Sequence, residues 1–227
     1  MDLPIVAATP DPIAGRARLR ALADMWFVDH GFIRDIYLNL HRISDKAWRS
    51  AQPGPNHWRR LKKLGIRTVV NLRGRRDTCG SYILEREGAA KAGLTLIDFP
   101  IRSRGALEKP TLKAAAELFP RLDYPVLFHC KSGADRAGMM ATLYLHLHER
   151  VPLERAMDQL SLRFGHVKWA KTGVIDHFFA RYRDHARRET MPLMEWVDKV
   201  YDRAEMDASF HENRFARFSV DVVLRRE

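Results

Sequence analysis

One short stretch of the chain brings together residues that could bind and attack an anion. It reads PVLFHCKSGADRAGMM over residues 125–140, and five residues separate Cys130 from Arg136. A loop between a buried strand and a helix can turn its backbone N–H groups inward, and the helix N-terminus adds partial positive charge. Gly133 permits tight curvature, and the Arg136 guanidinium can hold two oxygens of one phosphate. Residues 131–136, termed the Cys130 loop, are therefore predicted to bind an anion.

The cysteine at the start of this loop is the predicted nucleophile. Lys131, Arg136 and the helix N-terminus would all stabilise its thiolate form. A thiolate beneath a bound phosphate is placed for in-line attack on phosphorus and for a covalent phosphocysteine. We predict that Cys130 and Arg136 are catalytic and that the phosphate is bound by Lys131, Ser132, Gly133, Ala134, Asp135 and Arg136.

The spacing His-Cys-five residues-Arg resembles the signature of the cysteine-dependent protein tyrosine phosphatase superfamily. The wider context, with WRSAQP, VVNLRG and HCKSGADRAG, looks like its dual-specificity-like bacterial branch. The resemblance covers about residues 47–165, and SLRFGH (161–166) is also similar to that branch. It implies a phosphatase that hydrolyses phosphate monoesters through a phosphocysteine, with no cofactor and no metal. It also implies that His129 supports the site by ordering the loop.

This resemblance and the alternating apolar runs predict an α/β fold. We expect a central twisted, mostly parallel sheet flanked by helices, with extra N- and C-terminal helices. Residues 16–40 read as one or two amphipathic helices interrupted near Gly31, and WRSAQP as a short edge strand. Further strands are predicted at 67–72, 94–100 and 125–129, and helices at 56–65, 82–92, 111–119, 135–149, 153–163, 174–187 and 192–204.

The chain departs from the family pattern after the arginine and in the acid loop. The family usually has Ser or Thr where this chain has Ala137, so slow hydrolysis of the phosphoenzyme is expected. The leaving oxygen needs a proton, usually from an aspartate. Asp135 is preferred, because an Asp-Arg pair resembles the myotubularin lipid phosphatases; Asp98, 32 residues before Cys130, comes second. The loop after Asp98 offers only Glu108.

Several basic residues could extend the site toward a multiply charged substrate. Lys131 resembles the lysine of phosphoinositide-directed members, and Arg73, Arg75 and Arg102 are predicted to contact substrate, with Arg76 and Arg104 beside them. The substrate stays open between phosphotyrosine, phosphoserine or phosphothreonine in proteins, a phosphoinositide, and another phospholipid or sugar phosphate. Cys79 is expected to be a bystander, with a reversible disulfide to Cys130 as the minority hypothesis.

The composition and net charge of the chain limit the classes of partner that it could bind. The chain has 227 residues, two cysteines and a formal net charge of +11, which favours polyanionic partners. It shows no zinc spacing, no RNP-like motif and no helix-turn-helix signature, so no nucleic acid is expected. No run is long enough for a membrane span and the start does not resemble a secretory signal, which predicts a cytoplasmic protein.

Three segments are predicted: an N-terminal helical extension (1–46), the catalytic domain (47–170) and a C-terminal helical extension on the same core (171–227). Arg16, Arg18 and Arg20 precede an aromatic stretch that could contact an anionic membrane. We favour instead that Trp26, Phe27 and Phe32 pack onto the catalytic domain. Two competing functions remain, a phosphate-binding module with little turnover and a basic nucleic-acid binder.

Overall fold

A single mixed sheet organises the part of the chain that the computed structural model describes, residues 5–6, 13–102 and 105–211. Within these residues the sheet has six strands in the order β1-β5-β4-β6-β3-β2. The four inner strands are parallel, and the two outer ones are antiparallel to their neighbours. The strands are β1 (Ile5–Val6), β2 (His41–Arg42), β3 (Ala47–Ala51), β4 (Thr68–Asn71), β5 (Thr95–Asp98) and β6 (Val126–Cys130).

Helices follow the strands and cover both faces. The longer ones are α4 (Gly80–Ala92), α5 (Lys109–Leu118) and α8 (Val174–Ala186). Two π-helical turns, Asp24–Val28 and Tyr144–His148, continue α1 and α6. Residues 203–211 are also helical. The remaining α-helices are α1 (Gly15–Ala23), α2 (Gly31–Ile36), α3 (Trp58–Lys63), α6 (Asp135–Leu143), α7 (Leu153–Ala156) and α9 (Leu193–Lys199).

Alternate residues along the inner strands divide the core into two layers. Val70 and Phe128 face the larger layer, under α5, α6, α8 and α9, whereas Val69 and Leu127 face the smaller one, under α3 and α4. A strand sends successive side chains to opposite faces, so an apolar run such as VLF is buried on both. The predicted fold class, a mostly parallel sheet flanked by helices, is confirmed.

The C-terminal helices share this larger core. Phe178, Trp196 and Tyr201 are buried in the same cluster as Phe128 of the sheet. Their rings also contact one another, with centroids 5.2–5.6 Å apart. Aromatic rings bury large areas, so these helices add substantially to the stability of the sheet.

Two predicted elements differ in the structure. WRSAQP is not an edge strand, because β2 pairs outside β3 and β6 lies on its other side. The helix predicted at 153–163 ends at Ala156 and continues as two short 3₁₀ turns. The buried Arg49 guanidinium of β3 donates a hydrogen bond to the Gln159 carbonyl at 2.6 Å, so this oxygen is bonded to β3. A tertiary contact thus overrides the helical pattern.

The packing expected for the N-terminal aromatic residues is wrong. Trp26, Phe27 and Phe32 are 47%, 76% and 48% exposed. The helices bury Ala21 and Met25 against Leu84 of α4 instead. Separately, no helix among the described residues is long and apolar enough to cross a bilayer.

Candidate active site

The carboxyl ends of the four parallel strands meet at one edge of the sheet. β6 ends at Cys130, which pairs in register with Ala51 of β3, and the preceding His129 pairs with Asn71 of β4. Asn71 in turn pairs with Asp98 of β5. Ligands of open α/β sheets bind outside this edge. The fold therefore brings Cys130, its loop and Asp98 to the same side of the molecule.

The Cys130 loop is held by its carbonyl oxygens, which accept hydrogen bonds from outside it. The backbone N–H of Gln52 donates to Lys131 O (3.4 Å), and Asn39 Nδ2 donates to Ser132 O (2.9 Å). Arg49 Nη2 donates to the oxygens of both Gly133 and Ala134 at 2.8 Å. In a trans peptide the N–H points opposite to the C=O. The amides of residues 132–135 are thus turned toward the inside of the loop, where the Ala134 N–H donates a long hydrogen bond of 3.4 Å to Ser132 Oγ.

Gly133 is required by the path of this loop. Its φ is +75°, and a Cβ there would lie 2.6 Å from the backbone N of Ala51 and the backbone C of Ser50. Other residues rarely adopt this φ, and here the strand leaves no room for a side chain. The close approach places the loop directly on the end of β3.

Arg49 is a fully buried cation beneath the loop. Besides the two loop carbonyls it contacts the Gln159 carbonyl, and its guanidinium stacks 4.2 Å from the Phe164 ring centroid. Burial lowers the pKa of Arg49 to about 10, while the nearby Cys130 and Asp135 favour its charged form. Arg49 therefore adds positive charge to the site as well as fixing its backbone.

Arg136, on the first turn of α6, reaches across to the neighbouring strand. Its Nη1 donates to Leu72 O at 3.3 Å. The side chain lines an open pocket of about 630 Å³ that is rich in basic groups. The pocket is lined by Asp24, Val28, Asp29, Arg73, Arg76, Thr78, Cys79, Lys131 and Arg136.

Asp135, at the first position of α6, is bonded to a buried histidine. His166 Nδ1 lies 2.7 Å from Asp135 Oδ1, and His166 Nε2 lies 2.5 Å from Asp176 Oδ2 of α8. Burial by itself would lower the pKa of His166. The hydrogen bonds to Asp135 and Asp176 and their charges outweigh burial and raise this pKa to about 9.

Asp98 has both carboxyl oxygens occupied within the protein. Asn71 Nδ2 donates to Oδ1 at 2.8 Å, and the Tyr82 hydroxyl donates to Oδ2. Burial is the largest influence and raises the pKa of Asp98, with the nearby Glu85 adding to it and the two hydrogen bonds opposing it. Asp98 lies two strands away from β6, with β4 between them.

A chain of buried polar contacts runs from His129 behind the site. His129 Nε2 lies 2.6 Å from Glu85 Oε1, and Gln52 Nε2 donates to Glu85 Oε2 at 2.5 Å. Arg73 donates to Gln52 Oε1 and forms two hydrogen bonds with Asp29, of 2.7 and 2.9 Å. The hydrogen bonds among Glu85, Gln52, Arg73 and Asp29 fix these side chains relative to one another, whereas neither ring nitrogen of His129 has a well-aligned hydrogen bond among the described residues.

Asp29 fastens the N-terminal segment to the site. Besides Arg73 it contacts Arg34, Ser81 and the Lys131 ammonium, the last at 3.1 Å. Burial would raise the pKa of Asp29, but hydrogen bonds from Arg73 and Ser81 and the charges of Arg73 and Arg34 hold it well below its usual range. The N-terminal helices are thereby connected to the Cys130 loop through Lys131.

Comparison with known proteins identifies the family. A family model described as "DSP-PTPase phosphatase fused to NAD+ Kinase" matches residues 37–174, more than half of the chain. The chain belongs to this DSP-PTPase family. The match confirms the resemblance seen in the sequence and extends slightly beyond residues 47–165 at both ends.

Individual relatives agree with this assignment. The chain is 28% identical over 129 residues to the dual specificity protein phosphatase TpbA of Pseudomonas aeruginosa, in each of two strains. The match covers 56% of this chain and 55% of TpbA, so the chain spans about half the length of the curated relatives it matches.

Solved structures share the fold. The crystal structure of P. aeruginosa TpbA has a TM-score of 0.52 and 22% identity, covering 65% of this chain and 86% of that one. The active form of Tk-PTP has a TM-score of 0.50 and 19% identity, covering 64% of this chain and 98% of that one. Both agree with the DSP-PTPase assignment at the level of the fold.

The three arginines predicted to contact substrate have different surroundings in this DSP-PTPase chain. Arg73 lines the pocket, but its guanidinium is paired with Asp29. Arg75 is exposed and paired with Asp77 at 2.7 Å. Arg102 is exposed at the last described position before residue 105, and Arg104 lies outside the described residues.

Other residues singled out from the DSP-PTPase resemblance also have definite positions. Ala137 is fully buried in the larger core layer. Glu108 pairs with Arg203, 3.1 Å away, at the start of α5. Cys79 is partly exposed and lines the same pocket as Arg136.

Sequence reasoning missed the groups that hold the loop from outside, which are the Asn39 and Arg49 side chains and the Gln52 backbone N–H, and it missed the histidine bonded to Asp135. A signal was present for some of them. Arg49 is the one charged residue of the strand AWRSA, which overlaps the WRSAQP motif, and His166 closes the SLRFGH motif. Their partners lie 31–125 residues away in sequence, so spacing could not assign their contacts.

Proposed function

We propose that this chain is a cysteine-dependent phosphatase that hydrolyses phosphate monoesters through a phosphocysteine on Cys130. The observation that carries the proposal is the Cys130 loop, whose carbonyls at residues 131–134 are all bonded outward. This leaves the loop amides facing inward, beside the N-terminus of α6 and Arg136, an arrangement suited to an anion. Family membership supports the same activity.

The chemistry follows from these positions. The Cys130 sulfur forms a bond to phosphorus as the ester oxygen leaves, while the loop amides and Arg136 hold the non-bridging oxygens. Asp135 gives a proton to the leaving oxygen. A water molecule then attacks phosphorus, passes its proton to Asp135, and the thiolate leaves as inorganic phosphate is formed.

Asp135 is the better candidate for the general acid. Only one of its oxygens has a hydrogen-bond partner among the described residues, so the other is available to a leaving group. Both oxygens of Asp98 accept hydrogen bonds from Asn71 and Tyr82, and Asp98 lies two strands from Cys130. Asp98 is retained as the second candidate.

Phosphorylated proteins are the substrates that the relatives' name suggests, since TpbA is called a dual specificity protein phosphatase. A phosphoinositide or phospholipid is the second candidate, favoured by the pocket beside Arg136. Arg76 and Lys131 there could contact further phosphates.

The test is phosphate release from p-nitrophenyl phosphate, at steady state and in the pre-steady state, by the wild type and Cys130→Ser. Steady turnover that is lost in the variant supports the proposal. One equivalent of p-nitrophenol per active site followed by slow turnover supports it too, and assigns the slow step to hydrolysis beside Ala137. Vanadate binding with no release in either phase contradicts it in favour of a phosphate-binding module.

We further propose that the N-terminal segment contacts an anionic membrane surface. The large side chains at residues 26–37 form an apolar N-terminal surface: Trp26, Phe27, Val28, Phe32, Ile33, Ile36 and Tyr37, each more than 40% exposed. Contiguous exposed apolar surfaces of this kind mark interaction sites. Val28 also lines the pocket of Arg136, so bound lipid would lie beside the active site.

Charge favours an anionic bilayer as the partner. Residues 25–37 contain two carboxylates, of which Asp29 is buried and Asp35 is partly buried and accepts a hydrogen bond from Trp26 Nε1. Arg16 and Arg20 on α1, which continues into this surface, are exposed. An apolar surface bordered by arginines matches the requirements of a peripheral helix on anionic lipid.

Sedimentation with vesicles tests this contact. The wild type should bind vesicles of phosphatidylserine and phosphatidylcholine more tightly than pure phosphatidylcholine. The double variant Phe27→Glu, Ile36→Glu should lose this binding, whereas Trp169→Glu, at a site 66% exposed outside the surface, should retain it. Equal binding by all three proteins, or none by the wild type, would rule the contact out.

A further inference from the structure

The buried pair of contacts at His166 has a chemical consequence for Asp135. His166 is fully buried, and each ring nitrogen lies within 2.7 Å of a carboxylate oxygen. An acceptor oxygen requires a hydrogen on the nitrogen that faces it, and only the imidazolium carries both. The geometry therefore calls for a positively charged His166 between Asp135 and Asp176.

Asn39 connects the turn that carries His166 to the Cys130 loop. The Phe164 carbonyl accepts a hydrogen bond from Asn39, which also binds Ser132 O, and the His166 backbone N–H donates to Ser161 O at 3.1 Å. The turn that carries His166 is thus fastened to the Cys130 loop. His166 and Asp135 are placed together independently of their own contact.

Asp135, His166 and Asp176 differ in how much of each side chain is exposed to solvent. The Asp135 side chain is 26% exposed, while His166 is sealed from solvent. Because His166 is hydrogen-bonded to Oδ1 of Asp135, Oδ2 is the oxygen that remains available to a substrate. The charged groups around the histidine are Asp135 of α6 and Asp176 of α8, with Arg49 of β3 acting on Asp135 from below.

We propose that His166 is a positioning residue for the general acid: it holds Asp135 by Nδ1, directs Oδ2 toward the leaving oxygen, and stabilises the carboxylate that remains after proton transfer. Asp176 keeps the imidazolium charged and in place. The raised pKa of His166 agrees with this arrangement. The proposal rests on the proposed phosphatase activity and on Asp135 as its acid.

The test compares two substrates that differ in their need for a proton. Phenol leaves poorly as phenolate, whereas p-nitrophenol leaves readily, so phenyl phosphate depends more on the acid. His166→Gln keeps a side-chain donor but removes the charge. It should reduce kcat/KM, which reports formation of the phosphocysteine, roughly tenfold more for phenyl phosphate than for p-nitrophenyl phosphate. The alkaline limb of its kcat/KM–pH profile should move, because the positive charge beside the acid is gone.

Further variants keep the result interpretable. Asp176→Asn retains the imidazole and should show the same changes to a smaller degree, and it decides the matter if His166→Gln does not fold. Asp135→Asn should show the leaving-group effect, and adding His166→Gln to it should cause no further loss. His146→Gln, a partly buried histidine bonded to Val151 O, is the matched control and should resemble the wild type.

Equal losses for both substrates with an unmoved pH limb would assign His166 a structural role and overturn the inference. So would an Asp135→Asn variant without a leaving-group effect. A failure of the proposed function would give a different result. Activity that survives Cys130→Ser would contradict the phosphocysteine mechanism. Normal dependence on Cys130 with an unaffected His166→Gln would remove only this inference.

Discussion

At the scale of single residues, the candidate site is held together by buried side chains outside the Cys130 loop, Arg49 and His166 among them. Arg49 holds two carbonyls of the Cys130 loop and a third at Gln159 with one planar guanidinium. Its five fixed donors suit this task, whereas the compact ammonium of a lysine does not. The proposed phosphate site is thus organised from beneath by a residue of a different strand.

Arg49→Lys should therefore weaken vanadate binding and kcat by at least about tenfold, since unpaired buried carbonyls cost roughly 1–3 kcal/mol each. Calorimetric titration with vanadate and a steady-state assay measure the two effects. Arg42→Lys, at an exposed arginine of the neighbouring strand β2, should change neither. Wild-type vanadate affinity in Arg49→Lys would show that the Cys130 loop keeps its shape without the guanidinium group.

His166 should make stability depend on pH in the alkaline range. Its pKa in the folded protein is about 9, above the ordinary value of 6.5, so the folded state holds the proton more tightly. The resulting stabilisation, on the order of 3 kcal/mol, is complete below pH 6.5 and is lost as pH rises toward and past 9. Urea unfolding at pH 6, 7.5 and 9.5 measures it. In His166→Gln this part of the pH dependence should disappear; an unchanged slope would mean that folding does not raise the pKa of His166.

At the scale of elements, the decisive feature is how tightly the Cys130 loop lies on β3. The loop crosses the end of the strand where Gly133 has a positive φ and no room for a Cβ. Asn39 joins the loop to the turn at Phe164. Three separate segments therefore meet the loop from outside, and a change in any of them is expected to reach the anion site.

Gly133→Ala separates this close packing from backbone strain, because Gly65 offers a matched control. Both glycines have φ near +75 to +79°, but a Cβ at Gly65 would meet nothing within 4 Å. Gly65→Ala should cost only about 1 kcal/mol. Gly133→Ala should cost more and abolish vanadate binding. Urea unfolding and calorimetry check both; equal costs would mean that β3 yields to the added methyl group.

At the scale of the whole molecule, one core serves the sheet and the C-terminal helices. Trp196 of α9 and Phe178 of α8 are buried in the cluster that contains Phe128, immediately before His129 and Cys130. We propose that the segments 1–46, 47–170 and 171–227 differ in role but that the last two unfold together. The apolar N-terminal surface, in contrast, lies outside this core.

Trp196→Ala should lower the free energy of unfolding by about 3–5 kcal/mol in a single transition. Tryptophan fluorescence and loss of vanadate binding, followed through urea unfolding, should give the same midpoint. Trp169→Ala, at an exposed tryptophan, should have little effect. Two separate transitions in Trp196→Ala would show that the C-terminal helices form an independent unit.

The family and the mostly parallel sheet could be predicted from the sequence because the motifs and apolar runs that indicate them are continuous along the chain, and the same local order makes Cys130 the predicted nucleophile. The strand, the Cys130 loop and the helix follow one another along the chain, so their residue types are read directly. Apolar runs likewise report burial on both faces of a strand. The aromatic residues at 26–32 were misjudged because apolar character does not say whether a neighbour exists to cover it.

Only the tertiary structure decided which distant groups complete the site. Arg49, Asn39 and His166 reach the loop from positions 31 to 93 residues away, and Asp98 is turned inward by Tyr82 and Asn71. Side-chain hydrogen bonds act over about 3 Å, and sequence spacing carries no information about such distances once the chain has folded back. The reacting atoms are therefore fixed by neighbouring residues along the chain, and the groups that orient them by the fold.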